Sequence, residues 1–76
     1  MDLRVRCFGP LAEEIGCAEL QLSFEGAVVS DLIAHLGLEA WVRMGLSVAV
    51  DGTMVPHDAP LVDGGEVVLL PPVSGG

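Results

Sequence analysis

Apolar and polar side chains alternate along three stretches of the chain, residues 3–7, 20–24 and 46–50. A period of two residues is that of a strand with one buried face, so each stretch predicts a β-strand. Residues 66–70 are apolar throughout after the initial glutamate, which is typical of a strand near the middle of a sheet. The first and last strands are therefore expected to occupy central positions.

Two turn signals separate the strands in the second half of the chain. The pair Asp51-Gly52 follows the third strand and precedes a short apolar stretch, residues 53–55. An Asp-Gly pair between two such stretches predicts a type I′ hairpin, because both of its central residues need positive φ. Gly64 and Gly65 predict a second tight turn directly before the last strand.

The period changes to that of a helix over residues 29–36, where apolar side chains recur three and four residues apart. Gly37 predicts the end of this main helix. Its start is weakly indicated, because Val28 stands where a Ser or Thr cap is expected. Ser30 is an alternative cap that would shorten the helix.

Two further segments have weaker signals. Residues 11–15 predict a short helix, in which Glu13 and Glu14 are interpreted as a solvated face. Residues 38–45 fit either a short helix or an ordered loop. The single tryptophan, Trp41, is interpreted as a lid over the core rather than as a platform for a ligand.

The order of elements predicts one α+β domain. Strands in the order β-β-α-β-β-β must bury one sheet face under the main helix. With the first and last strands parallel and adjacent, this arrangement is a β-grasp, or ubiquitin-like, fold. We expect a mixed sheet of four to five strands packed against one main helix over residues 1–70, and a flexible C-terminal tail over residues 71–76.

Composition and charge limit the function classes. The 76-residue chain has 3 basic and 11 acidic residues and a formal net charge of -8. All three basic residues are arginines, and this balance argues against nucleic-acid binding and against an acidic membrane surface. A basic protein partner is the natural complement. No apolar stretch approaches the roughly 20 residues of a membrane span, and the alternating N-terminus does not resemble a secretion signal, so a cytoplasmic location is expected.

The cysteines and histidines do not predict a metal site. Cys7 and Cys17 fit no zinc or redox spacing, and both are interpreted as reduced thiols. His35 and His57 lie far apart in the sequence and are interpreted as packed or solvated imidazoles. We expect no metal and no bound cofactor.

The most informative segment is the end of the chain. Two prolines favour an extended exit from the last strand, and two glycines leave the final positions without side chains. Six residues reach roughly 20 Å when extended, long enough to enter a channel in a partner. The predicted tail consists of Pro71, Pro72, Val73, Ser74, Gly75 and Gly76. The reactive group it would deliver is the α-carboxylate of Gly76.

An exposed apolar patch is predicted beside the base of this tail. If Val67 and Leu69 point into the core, Val68 and Leu70 point outward, and Phe8 shares the outward parity of the first strand. Exposed patches of this kind mark protein interfaces. The alternative is that residues 38–45 cover this face of the sheet.

The sequence resembles the β-grasp sulfur carriers over essentially its whole length. Their first motif is matched by Phe8, Leu11, Glu14 and Gly16. Their motif before the last strand is matched by Pro60, Leu61, Asp63, Gly64, Glu66 and Val67. The end, Pro-Pro-Val-Ser-Gly-Gly, is similar to that of the small subunits of molybdopterin synthase in particular.

This resemblance implies a sulfur-transfer chemistry. A ubiquitin-activating-like adenylyltransferase would use ATP to convert Gly76 into an acyl adenylate. Sulfur would then replace AMP to leave a thiocarboxylate, and the tail would carry it into the large subunit of molybdopterin synthase. There the sulfur would pass to cyclic pyranopterin monophosphate to build the molybdopterin dithiolene. The chain would thus be the sulfur-donating subunit of a sulfurtransferase, with the catalytic pocket on the large subunit and a 2+2 heterotetramer as the expected assembly.

The resemblance also assigns an interface and leaves more than one function open. Phe8, Met54 and Leu70 match apolar positions that members of the family use against the large subunit, and Val68 joins them by its outward parity. A sulfur carrier for the thiazole of thiamine shares the fold and the Gly-Gly end. A ubiquitin-like protein modifier would use the same end to join lysines of target proteins, and a plain interaction domain would use no covalent chemistry.

Overall fold

The computed structural model describes residues 1–72, and the predicted tail positions 73–76 lie outside the described residues. Eight elements follow one another along the described chain. They are β1 (Asp2–Cys7), α1 (Pro10–Ile15), β2 (Glu19–Ser23), α2 (Val29–His35), α3 (Glu39–Arg43), β3 (Ser47–Val50), β4 (Thr53–Val55) and β5 (Glu66–Leu70).

The strands form one mixed sheet in the order β2-β1-β5-β3-β4. The first and last strands are parallel neighbours, with Val5 opposite Val67 and Cys7 opposite Leu69. The other three pairings are antiparallel. The predicted central positions of β1 and β5 are confirmed, and the sheet contains five strands.

The core lies between one face of the sheet and α2. Val5, Val67 and Leu69 are fully buried on that face, and they belong to the same cluster as Leu32 and Ile33 of α2. Alternate residues of β1 are exposed and alternate residues of β5 are half-buried, as the two-residue period requires. The predicted inward and outward parities are therefore confirmed.

The start of α2 is held by a distant loop and by the carboxylate of Asp31, with no capping hydrogen bond from the side chain of Val28. Val29 donates its backbone N–H to the carbonyl oxygen of Ala59 at 3.0 Å, and Ser30 donates to that of His57 at 2.8 Å. The carboxylate of Asp31 accepts hydrogen bonds from the N–H groups of Ala27 (2.9 Å) and Val28 (3.1 Å). The alternative cap at Ser30 is therefore wrong, because these partners satisfy the first N–H groups of the helix.

The segment after α2 is a helix, α3, and it packs on the core side of the sheet. Leu38 is fully buried, and Trp41 is partly buried against the core cluster. The Trp41 indole Nε1–H donates to the Glu14 carboxylate Oε2 at 2.7 Å, which joins α3 to α1. The lid prediction for Trp41 agrees with this packing. The interpretation of Glu13 and Glu14 as a solvated face is confirmed, since both are exposed, and Glu14 in addition accepts the tryptophan N–H.

The predicted Asp-Gly hairpin joins β3 to β4. Asp51 has φ 49° and Gly52 has φ 85°, the two positive values that a type I′ turn requires. The Asp51 carboxylate also accepts a hydrogen bond from the N–H of Glu66 at 3.0 Å. The turn is thereby tied to the first residue of β5. Among residues 1–72, none of the helices has the length and apolarity that crossing a membrane requires.

Candidate functional site

The sheet face opposite α2 carries a continuous row of side chains from one edge to the other. The strand registers place Arg6 beside Glu19 on one side and Val68 on the other. Val68 is in turn opposite Ala49, and Ala49 is opposite Met54. The row therefore changes from charged on the β2 side to apolar on the β4 side.

The apolar part of this row extends toward the end of β5. Phe8 is 44% exposed and Met54 is 58% exposed, whereas Val68 and Leu70 are half-buried. Strands β1 and β5 are parallel, and Cys7 is opposite Leu69. The residues that follow these two, Phe8 and Leu70, therefore lie at the same end of the two strands. We call Phe8, Ala49, Met54, Val68 and Leu70 the docking patch.

The structure thus places the four predicted interface residues on one region of the sheet. Ala49 is an addition that was not predicted from the sequence. Its signal was present in the alternation of residues 46–50, since Ala49 has the opposite parity to Val48; Ala49 is itself only 8% exposed but, unlike Val48, does not belong to the core cluster. A small side chain at this position lets Val68 and Met54 flank it on either side.

The base of the tail adjoins the docking patch. Strand β5 ends at Leu70, and the half-buried Pro71 and Pro72 follow it directly. A Cβ atom placed on Gly45 would lie 3.5 Å from the Cβ of Pro72, so the turn after α3 lies against the second proline. Gly45 has φ 103°, a conformation that favours glycine. The predicted tail residues Val73, Ser74, Gly75 and Gly76 lie outside the described residues.

Arg6 links the charged and apolar parts of the face. Its guanidinium carbon lies 6.0 Å from the centre of the Phe8 ring. Its Nε lies 3.6 Å from Glu19 Oε2, and both side chains are largely exposed, at 46% and 65%. Exposed pairs of this kind contribute at most about 1 kcal/mol to stability.

The two cysteines differ in reactivity. Cys7 is buried and Cys17 is exposed, and neither forms a disulfide. Burial, with a smaller contribution from the neighbouring Cys17, raises the pKa of the Cys7 thiol. The thiolate is the reactive form, so Cys7 is chemically protected and Cys17 is the accessible thiol.

Both imidazoles have structural contacts. His35 packs edge-on against Phe24 with ring centres 5.4 Å apart, and His57 Nε2 lies 3.0 Å from the carbonyl oxygen of Leu46. Within residues 1–72, no three His, Cys, Asp or Glu side chains are grouped as a metal ion would require. The chemical features that the described structure does bring together are the docking patch and the base of the tail.

Comparison with known proteins assigns the family. The model of the ThiS family matches residues 5–76, which includes both the docking patch and the predicted tail. The chain belongs to the ThiS family.

Similar proteins support the fold of this ThiS-family chain over its full length. The molybdopterin synthase sulfur carrier subunit of Escherichia coli (strain K12) is 31% identical over 80 residues, covering 97% of this chain and 99% of that protein. SAMP1 from Haloferax volcanii is 27% identical with a TM-score of 0.77 and full coverage of both chains. The predicted β-grasp fold is confirmed.

A third similar structure is that of a complex. It is the protein–protein complex of subunits 1 and 2 of molybdopterin-converting factor from Helicobacter pylori 26695. The matched chain is 31% identical to this ThiS-family chain, with a TM-score of 0.65 and full coverage of both.

Proposed function

We propose that this ThiS-family chain is the sulfur carrier subunit of molybdopterin synthase. The observation that carries the proposal is the full-length similarity, at 31% identity, to a protein of that name, together with the Gly-Gly end of this chain. The apolar docking patch beside the base of the tail is the geometry such a carrier needs. It lets a partner bind the body and receive the tail at once.

The chemistry proposed for the tail centres on Gly76. A carboxylate at neutral pH is a poor electrophile, so a ubiquitin-activating-like adenylyltransferase would first use ATP to make the acyl adenylate. The outer sulfur of a persulfide donor would then displace AMP to form an acyl disulfide. A thiol would cleave its S–S bond, leaving a thiocarboxylate on Gly76 and a disulfide between that thiol and the donor sulfur. Sulfur is a better nucleophile than oxygen at this position, which suits transfer to cyclic pyranopterin monophosphate.

The partner would supply the catalytic pocket. A chain of 76 residues can bury only about 60% of its surface and has little room for a complete active site. Pro71 and Pro72 would direct the tail outward, and Val73, Ser74 and Gly75 would occupy the channel leading to the pocket. Phe8, Met54, Val68 and Leu70 would contact the large subunit, and binding would position the sulfur for transfer.

A second candidate function, that of a ubiquitin-like protein modifier, is favoured by one specific observation. SAMP1, named small archaeal modifier protein 1, matches the whole chain with a TM-score of 0.77. A thiamine-thiazole sulfur carrier is a further alternative that shares the family. These functions share activation of Gly76 and differ in the acceptor.

Intact-mass measurement separates the possibilities. After incubation with the activating enzyme, ATP and a sulfur source, the mass of a sulfur carrier increases by one oxygen-to-sulfur exchange. An unchanged mass would favour a plain interaction domain. Addition of the large subunit and cyclic pyranopterin monophosphate should then yield molybdopterin, whereas lysine-linked conjugates would identify a modifier.

Deletion of Gly76 should abolish adenylate formation and leave folding intact, and an adenylate on the shortened chain would refute the assignment.

A further inference from the structure

The sheet face opposite α2 carries two of the three basic residues in the sequence. Arg4 and Arg6 lie two residues apart on β1 and share the parity that faces away from the core. Side chains at this spacing stand roughly 7 Å apart on the same face of a strand. Asp2 shares this outward parity, and the registers place Glu66 opposite Arg4 and Glu19 opposite Arg6, so both arginines have acidic neighbours. Arg6 is the one of the two that also borders the apolar docking patch, because its other neighbour is Val68.

Arg6 is held at the border of the docking patch with its hydrogen-bonding capacity unused. Its neighbour across the sheet on one side is the apolar Val68, and on the other it is Glu19. The 3.6 Å separation of Arg6 Nε from Glu19 Oε2 is longer than an ordinary hydrogen bond. Among the described residues, no hydrogen bond from the guanidinium accompanies this ion pair.

A partner that covers the docking patch must also remove water from part of this guanidinium. Phe8 is 44% exposed, and the guanidinium carbon lies 6.0 Å from its ring, so an apolar socket over Phe8 reaches Arg6 as well. A charge that loses water without a partner is costly. Glu19 lies on the side of Arg6 away from the patch and is 65% exposed, so it leaves the patch side of the guanidinium unpaired.

We propose that the docking patch binds a protein surface in which an apolar socket is bordered by an Asp or Glu carboxylate that pairs with Arg6. A planar guanidinium binds a carboxylate through two parallel hydrogen bonds. A phosphate group would fit the same fork, but the adjoining patch is apolar and the net charge of the chain repels polyanions. The inference rests on the proposed function, since the partner is the protein that receives the tail.

A preference of Arg6 for a carboxylate is compatible with the negative net charge of the chain. A basic partner is favoured at long range by the net charge of -8, which increases the rate of encounter. A carboxylate at the edge of the socket acts only at contact, where it sets the orientation of the bound body. Correct orientation matters because the base of the tail adjoins the same patch.

The test uses calorimetric titration of the full chain with the molybdopterin synthase large subunit of the same organism. Arg6→Gln removes the charge and retains most of the aliphatic stem, and it should weaken binding roughly five- to tenfold. Glu19→Gln removes the competing carboxylate and should strengthen binding roughly twofold or more. Arg43→Ala, which removes one positive charge from α3 rather than from the sheet, is the matched control and should change affinity by less than about twofold.

The inference therefore predicts that Arg6→Gln lowers the affinity and that Glu19→Gln raises it. Any other result overturns the inference. Tighter binding by Arg6→Gln would mean that the partner is basic at this position. Weaker binding by both variants would mean that the Arg6–Glu19 pair acts as a unit. An effect of Arg43→Ala equal to that of Arg6→Gln would mean that only net charge matters. If the unaltered chain does not bind the large subunit, both the proposed function and this inference fail. If it binds and the variants have the same affinity as the unaltered chain, only this inference is overturned.

Discussion

Met54 offers a direct measure of how much the docking patch contributes to binding. It is the most exposed member of the patch, at 58%, and it lies on the edge strand β4 opposite Ala49. Complete burial of a methionine side chain is worth about 1.5–3 kcal/mol. A partner that covers the exposed part of Met54 therefore gains roughly 1–2 kcal/mol from it.

Met54→Ala should accordingly weaken binding to the large subunit by roughly 5- to 30-fold, because about 1.4 kcal/mol corresponds to a factor of ten. The fold should be nearly unaffected, since substitutions of exposed residues change the free energy of unfolding by about 0.5 kcal/mol or less. Isothermal titration calorimetry gives the affinity, and urea unfolding followed by circular dichroism checks the stability.

Val62 provides the matched control. It is an apolar side chain of similar exposure, 61%, in the loop that precedes β5. This loop lies at the end of β5 opposite to the base of the tail, as the hydrogen bond from Gly64 N–H to the Asp2 carbonyl oxygen shows. Val62→Ala should leave the affinity unchanged. Equal losses for both variants, or no loss for Met54→Ala, would refute the assignment of the interface to this face.

Three further predictions concern stability and reactivity. Leu32→Ala in α2 removes a fully buried side chain and should lower the free energy of unfolding by about 2–5 kcal/mol in urea titrations; a loss below about 1 kcal/mol would contradict the packing described. A maleimide at neutral pH should label Cys17 rapidly in the folded protein and Cys7 only after unfolding, because burial raises the pKa of the Cys7 thiol and blocks access; equal rates by mass spectrometry would show that Cys7 is accessible. Two backbone N–H donors lower the pKa of Asp31 from its ordinary value of 3.8. The carboxylate therefore stabilises the fold above that value, and the contribution is lost as the pH falls through the lowered native pKa. Asp31→Ala should make the urea midpoint less dependent on pH in this acid range, and an unchanged pH profile would argue against the helix-start role.

The hydrophobic pattern of the sequence by itself determined the elements and the faces of the alternating strands. A period of two residues is a local property of an extended chain, so the alternation in β1 already separated the buried Val5 from the outward Arg6. Residues 66–70 are apolar throughout after the glutamate, so the sequence left the faces of β5 conditional, and the structure buries Val67 and turns Val68 outward. The hairpin was equally local, because Asp51 and Gly52 are residues that accept positive φ. Phe8, Val68 and Leu70 could therefore be predicted as one patch once the two strands were placed side by side, whereas Met54 was assigned by the family resemblance and Ala49 was not predicted.

The tertiary structure alone decided the contacts between residues far apart in the sequence. The carbonyl oxygen of Ala59 completes the start of α2, and Glu14 accepts the indole N–H of Trp41. Neither contact has a local sequence signal, because each depends on how a loop or helix packs after the sheet has formed. The same holds for Arg6, whose two neighbours are set by the registers of β1 with β2 and β5. A one-residue change of register would move side chains to the opposite face, so the placement of a charge beside the apolar patch is a property of the folded sheet.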